Sequence, residues 1–255
     1  MHESSERGKR YRSSDSRARA LYRIPGALAS NSILELFHQH PPLFEDITRH
    51  GMCATLCKVN VEPMPDAPDI PLQKEGYGHT DYRVPLPFEE NSFDQVLLHR
   101  TLDDLARTSH GLQSAFDAQG FFERIARVLT PGGLVAGCIN NRIGAKSVLR
   151  RVKRSLGGFE NLGPAGHFTP QGLQKALAAA NFTDIQLFIL LPNCDEPLRL
   201  VDIDPQISKV VFRHELHAAR QLWSRSGYFL RLLAVELGIY PRFEESVFFW
   251  AYNRC

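Results

Sequence analysis

Long apolar runs are missing from this sequence of 255 residues. No stretch approaches the roughly 18–20 apolar residues of a membrane span, and no apolar leader core stands at the N-terminus. Neither a transmembrane segment nor a secretory leader is expected. An excess of one charge is missing too. The 30 Lys and Arg nearly balance 28 Asp and Glu, for a formal net charge of +2. A nucleic-acid coat protein would carry a strong basic excess, so sequence-specific nucleic-acid binding is not expected. Cysteine is scarce, and the five residues (Cys53, Cys57, Cys138, Cys194, Cys255) are odd in number and scattered. They read as reduced thiols of a cytoplasmic protein rather than a disulfide framework. What is present is a 43% hydrophobic composition, which at this length can bury a substantial core.

The charge balance hides an asymmetry. Residues 1–23 hold seven cations and three acids, leaving the remainder at −2. With few apolar side chains, residues 1–25 read as a flexible basic tail ahead of one domain over 26–255. A second basic cluster, Lys146, Arg150, Arg151, Lys153 and Arg154, interleaves with Val148, Leu149, Val152 and Leu156 at helical spacing. Either segment is a solvated surface or a contact for phosphates or an anionic membrane surface.

Strand and helix signals alternate along the chain. Ser32–Phe37, Ala54–Val61, Asn91–Leu98, Leu134–Ile139, Phe182–Leu191 and Val247–Tyr252 read as strands. Ala118–Leu129 places Phe122, Ile125, Ala126 and Leu129 on one helical face, and Thr130-Pro131-Gly132-Gly133 stops it. Thr169 with Pro170 opens another helix, and Gln206–Leu237 is helical in two pieces broken near Ser226-Gly227. Six prolines within 62–87 leave room there for at most a short third strand. The alternation predicts a doubly wound α/β sheet.

Two segments carry a resemblance: Leu86-Pro87-Phe88 leading to Ser92-Phe93-Asp94, and Arg127-Val128-Leu129-Thr130-Pro131-Gly132-Gly133. Set together, they resemble the class I S-adenosylmethionine-dependent methyltransferases, in particular the type 11 small-molecule branch. Gly166-His167-Phe168-Thr169-Pro170 is similar to the family's approach to strand six. The resemblance covers 32–252 and implies a Rossmann-like, mostly parallel seven-stranded sheet with an antiparallel last strand. Residues 192–245 then form a helical insertion or lid. It also implies S-adenosylmethionine as cofactor and a small-molecule or sugar- or lipid-linked methyl acceptor.

The family's cofactor motif maps onto Glu35, Phe37 and His38 after strand one, Asn60 at the end of strand two, and Asp81 beyond it. Here the sequence departs from the pattern. Where the family has a glycine-rich turn, this chain reads Phe37-His38-Gln39-His40-Pro41-Pro42, without a glycine. Glycine there lets the main chain approach the methionine moiety, and the two prolines remove two N–H donors. Asn60 stands where a carboxylate usually accepts from both ribose hydroxyls, and its amide lacks charge-assisted strength. His99 follows strand four, where the family's acceptor meets the methyl group, so it is a candidate general base, and His167 a candidate at the acceptor mouth. His38, His40, His50, Cys53 and Cys57 match no common zinc spacing, and no metal site is assigned. The altered motif keeps alternatives open: a pseudo-methyltransferase that binds a protein partner, or a non-methylating enzyme on the same scaffold.

Overall fold

The computed structural model describes residues 32–38, 54–60, 77–109, 116–144, 168–191, 199–218, 225–238, 244 and 246–254. Among these, eight strands form one sheet: β1 (Ile33–Phe37), β2 (Ala54–Asn60), β3 (Tyr77–Asp81), β4 (Phe93–His99), β5 (Leu129–Asn140), β6 (Phe182–Leu191), β7 (Arg199–Asp202) and β8 (Ser246–Asn253). Their order is β3-β2-β1-β4-β5-β8-β6-β7. The pairs β1–β2, β1–β4, β2–β3 and β4–β5 are parallel; β8 runs antiparallel between β5 and β6. The helices are α1 (Thr101–Ser109), α2 (Ala118–Val128), α3 (Pro170–Ala179), α4 (Pro205–Ala218) and α5 (Arg225–Glu236).

The doubly wound, Rossmann-like expectation holds, with one strand more than expected. The short β7 adds antiparallel to β6 within the stretch expected to be a helical insertion. Its four residues, RLVD, give too short an alternation to stand out in the sequence. Helix α5 also runs straight through Ser226-Gly227, the expected break; α4 instead ends at Ala218. Helix α1 was not anticipated either. The basic segment 146–154 and the tail lie outside the described residues.

The two family-like segments prove to be parts of one corner. The Arg127 guanidinium donates to the Leu86 carbonyl at 2.5 Å and to that of Phe88 at 3.2 Å. In return Asn91 and Ser92 donate their N–H groups to the Arg127 and Val128 carbonyls. Between Leu129 and Leu134 the β4–β5 register slips, which is what Thr130-Pro131-Gly132-Gly133 accomplishes. Gly132 takes φ +74°, and a Cβ on Gly133 would stand 2.8 Å from the Thr130 carbonyl oxygen, so neither place suits a side chain. Asn91 closes the preceding turn at φ 55°, a conformation asparagine tolerates.

One face of the sheet packs against α1, α2 and α3, through Leu102, Leu105, Phe121, Phe122, Ile125, Leu173 and Leu177. Helix α2 starts where the Asp117 carboxylate accepts from Gly120 N–H, and α3 where the Thr169 hydroxyl accepts from Gly172 N–H, each at 3.0 Å. Phe122 meets Phe182 and Phe249 edge-on and is fully buried. Truncating it, Phe122→Ala, removes a ring that three elements close around. A loss of about 3–5 kcal/mol is expected, read as a lowered urea midpoint with an unchanged slope.

Candidate active site

The strand order reverses beside β1, with β2 on one side and β4 on the other. In open α/β sheets the crevice above the carboxyl ends of the strands at such a point is where ligands bind. The residues that β1 to β5 bring to that edge are therefore the candidate site.

Glu35 is fully buried inside β1, and Phe37, at its last position, is 8% exposed. His38 follows and is pinned on both sides. Its Nδ1–H donates to the Val59 carbonyl of β2 at 2.6 Å, and its Nε2 lies 3.2 Å from the Thr108 hydroxyl near the end of α1. The Thr108 hydroxyl in turn lies 2.9 Å from the Asp104 carbonyl. Thr101, at the other end of α1, donates its hydroxyl to the Leu36 carbonyl at 2.6 Å. Helix α1 is thus tied to β1 at Thr101, and the His38 imidazole bridges its other end to β2.

Asn60 and Asp81 end β2 and β3 in register with each other. The Asp81 carboxylate is gripped by Arg83: Oδ1 accepts from the Arg83 backbone N–H at 2.8 Å and from Nε at 3.0 Å, Oδ2 from the guanidinium at 2.7 Å. That contact raises the affinity of the exposed Arg83 guanidinium for its proton. Nε also reaches Oδ2 at 3.2 Å, so Arg83 takes up the roughly four lone-pair sites of the carboxylate, and a ligand here would have to displace it.

His99 ends β4 with 8% of its surface exposed. Its Nδ1 lies 3.4 Å from the Cys138 thiol, on the facing residue of β5, while its buried Nε2 has no hydrogen-bond partner. Arg100 follows at φ 58°, a left-handed conformation that an arginine adopts only when its surroundings enforce it. It turns the chain at once from β4 into α1. Asp103 of α1 accepts from the Asn140 N–H, tying the helix to the tip of β5. Asn141 is fully buried, its amide donating to the Glu244 carbonyl at 2.9 Å and its Oδ1 accepting from Ile143 N–H at 3.1 Å. A buried polar wall therefore stands where β4 and β5 end.

The structure thus places Phe37, His38, Asn60, Asp81 and His99 along one edge of the sheet, and leaves Glu35 in the middle of β1, paired with Leu56 and Leu97 and buried below that edge. His167 lies outside the described residues. Sequence reasoning missed Cys138, Arg100, Asp103 and Thr108. Cys138 was recoverable, because aligning the two apolar runs of β4 and β5 puts it beside His99; the backbone of Arg100 leaves no trace in residue type. Cys57, by contrast, lies deep in β2, where burial pushes its thiol up to about 12 and leaves it inert.

Comparison with known proteins bears on the fold. Residues 61–137 match the family described as methyltransferase domain. Among solved structures, an S-adenosylmethionine-dependent methyltransferase from Archaeoglobus fulgidus aligns with a TM-score of 0.51 at 11% identity, covering 92% of each chain. A chain from the complex of the Haloferax volcanii Trm112 methyltransferase activator with its methyltransferase aligns at 0.50 and 14% identity, covering 99% of this chain and 95% of that one. Haemonchus contortus phosphoethanolamine N-methyltransferase 2, solved with S-adenosyl-L-methionine, aligns at 0.46 and 14% identity, over 89% of this chain and 49% of that one. No curated protein matches the sequence. The fold defines the class: this chain has the class I S-adenosylmethionine-dependent methyltransferase fold, and its residues 61–137 are similar to the methyltransferase-domain family. No helix among the described residues is long and apolar enough to cross a membrane.

The role given to His38 is testable. His38→Ala removes contacts to both β2 and α1, and a loss of about 1–2 kcal/mol is expected in chemical denaturation. A histidine serving only as surface would show no change.

Proposed function

We propose that the protein is a methyltransferase that uses S-adenosylmethionine and methylates a small-molecule or sugar- or lipid-linked acceptor at the carboxyl ends of β4 and β5. The observation that carries this reading is His99: a buried imidazole with one nitrogen unpartnered, at the strand end where the fold brings acceptor and methyl donor together. Catalytic and binding groups concentrate at such places, and so does backbone strain of the kind seen at Arg100.

The residues present fit the donor at two of its three parts. Asn60 and Asp81, side by side at adjacent strand ends, suit the hydroxyls and amine of an adenosine, with Asn60 giving a neutral and therefore weaker contact. His99 suits the reacting end. The amino-acid part has lost the close main-chain approach that glycine allows, since Phe37 and His38 occupy that corner. Bound there, S-adenosylmethionine supplies an electrophilic methyl group. The chain's own contribution is to orient the acceptor and to take up the acceptor's proton at Nε2. His167 is assigned to the acceptor mouth on the resemblance alone. Cytoplasmic action accords with the buried thiols Cys57 and Cys138, neither of which is in a disulfide.

Phe37 and His38 favour a second reading, in which the chain keeps the scaffold, no longer binds the donor and serves a protein partner. The Haloferax neighbour, solved with an activator, gives that kind of association a parallel. Titration calorimetry of the purified chain with S-adenosylmethionine and with S-adenosylhomocysteine separates the two. Methyl transfer predicts one site per chain, and about 2.7 kcal/mol of added stability at a hundredfold excess over Kd. Absence of heat and of any thermal shift would refute methyl transfer and leave the second reading standing. His99→Asn should leave donor affinity unchanged and lower turnover by about 10²–10⁴-fold.

A further inference from the structure

We infer that Cys138 is the positioning residue of this site: it holds His99 in the tautomer that leaves Nε2 a proton acceptor, and so suits the site to an acceptor that loses a proton on methylation, such as a hydroxyl group. The inference rests on the methyltransferase reading above.

His99 and Cys138 face each other across the β4–β5 ladder, so their spacing is fixed by backbone hydrogen bonds rather than by flexible side chains. The imidazole is pinned at Nδ1 by the thiol sulfur at 3.4 Å and touches no other hydrogen-bonding group at Nε2. A neutral imidazole carries one proton on one of its two nitrogens. With the proton on Nδ1, the N–H donates to sulfur, and Nε2 keeps its lone pair. With the proton on Nε2, the protein would bury an unpaired N–H, which is the rarer and costlier arrangement. Cys138 is 4% exposed, and its neighbour across β8 is Phe248, so the thiol is sheltered from solvent. The left-handed turn at Arg100, immediately after His99, fixes where the imidazole is presented.

A lone pair at Nε2 selects the chemistry. As a methyl group is transferred to a hydroxyl, the O–H bond breaks and its proton forms an N–H bond at Nε2. The oxygen's electron pair forms the new O–C bond, and the pair of the broken C–S bond stays on the donor's sulfur. An acceptor without a proton to lose, such as a tertiary amine, gains nothing from this base.

The test reads the tautomer directly in the full-length chain. Two-dimensional ¹⁵N–¹H correlation spectra of histidine-labelled protein at pH ~8.5, where an ordinary imidazole is neutral, identify the protonated nitrogen, with His99 assigned by its loss in His99→Asn. The expected result is Nδ1–H in the parent chain, a shift toward Nε2–H in Cys138→Ala, and recovery of Nδ1–H in Cys138→Ser, whose hydroxyl also accepts. Nε2–H in the parent chain, or the same spectrum in Cys138→Ala, would overturn the proposal. The parent spectrum decides even if the alanine variant does not fold. Absence of S-adenosylmethionine binding would refute the methyltransferase reading while leaving the tautomer result standing, so the two failures are distinguishable.

Discussion

The pairing of β4 with the strands on either side of it is the constraint from which the rest of the molecule follows. Its residues are paired on one side with β1 and on the other with β5, and its buried apolar positions feed both sheet faces. That pairing puts the tip of β4 at the centre of the carboxyl edge. It sets His99 against Cys138, and it forces the chain through the left-handed Arg100 into α1. The corner formed by Arg127 with Leu86 and Phe88 anchors the lower end of the same unit, so the two family-like segments act as one structural piece.

Most of the sheet was legible in the sequence because its strands are short apolar runs bounded by turn residues. Phe182–Leu191 and the aromatic last strand fall where the alternation puts them. Thr169-Pro170 marks the start of α3 by cap chemistry alone, and the hydroxyl does accept from Gly172. What stayed hidden has physical reasons. Strand β7 is four residues long and gains its place from pairing with β6, a contact of long range. Helix α1 carries the polar side chains of Asp103 and Asp104 inward, against the usual apolar pattern, because the first accepts from Asn140 N–H and the second pairs with Arg107 at 3.0 Å. Leu102, Leu105 and Ala106 nonetheless recur at helical spacing, so the helix itself was recoverable, and only its inward-facing acids were not.

The site was half legible. The family-like motifs pointed to Asn60, Asp81 and His99, which do lie along the edge, and to Glu35, which lies mid-strand instead; the missing glycines were visible as letters. What the letters did not disclose is how the corner uses its replacements. His38 spans from β2 to α1, so it replaces the flexibility of a glycine turn with a fixed crosslink. The same edge therefore combines a crosslinked corner after β1 with a buried polar end at β4 and β5.

A structure of the chain soaked with S-adenosylhomocysteine would test the central claim most directly. The account predicts the adenosine between Asn60 and Asp81, with the sulfur turned toward His99 Nε2 and Phe37 or His38 displaced only locally. An unoccupied edge, or ligand bound elsewhere on the molecule, would contradict it.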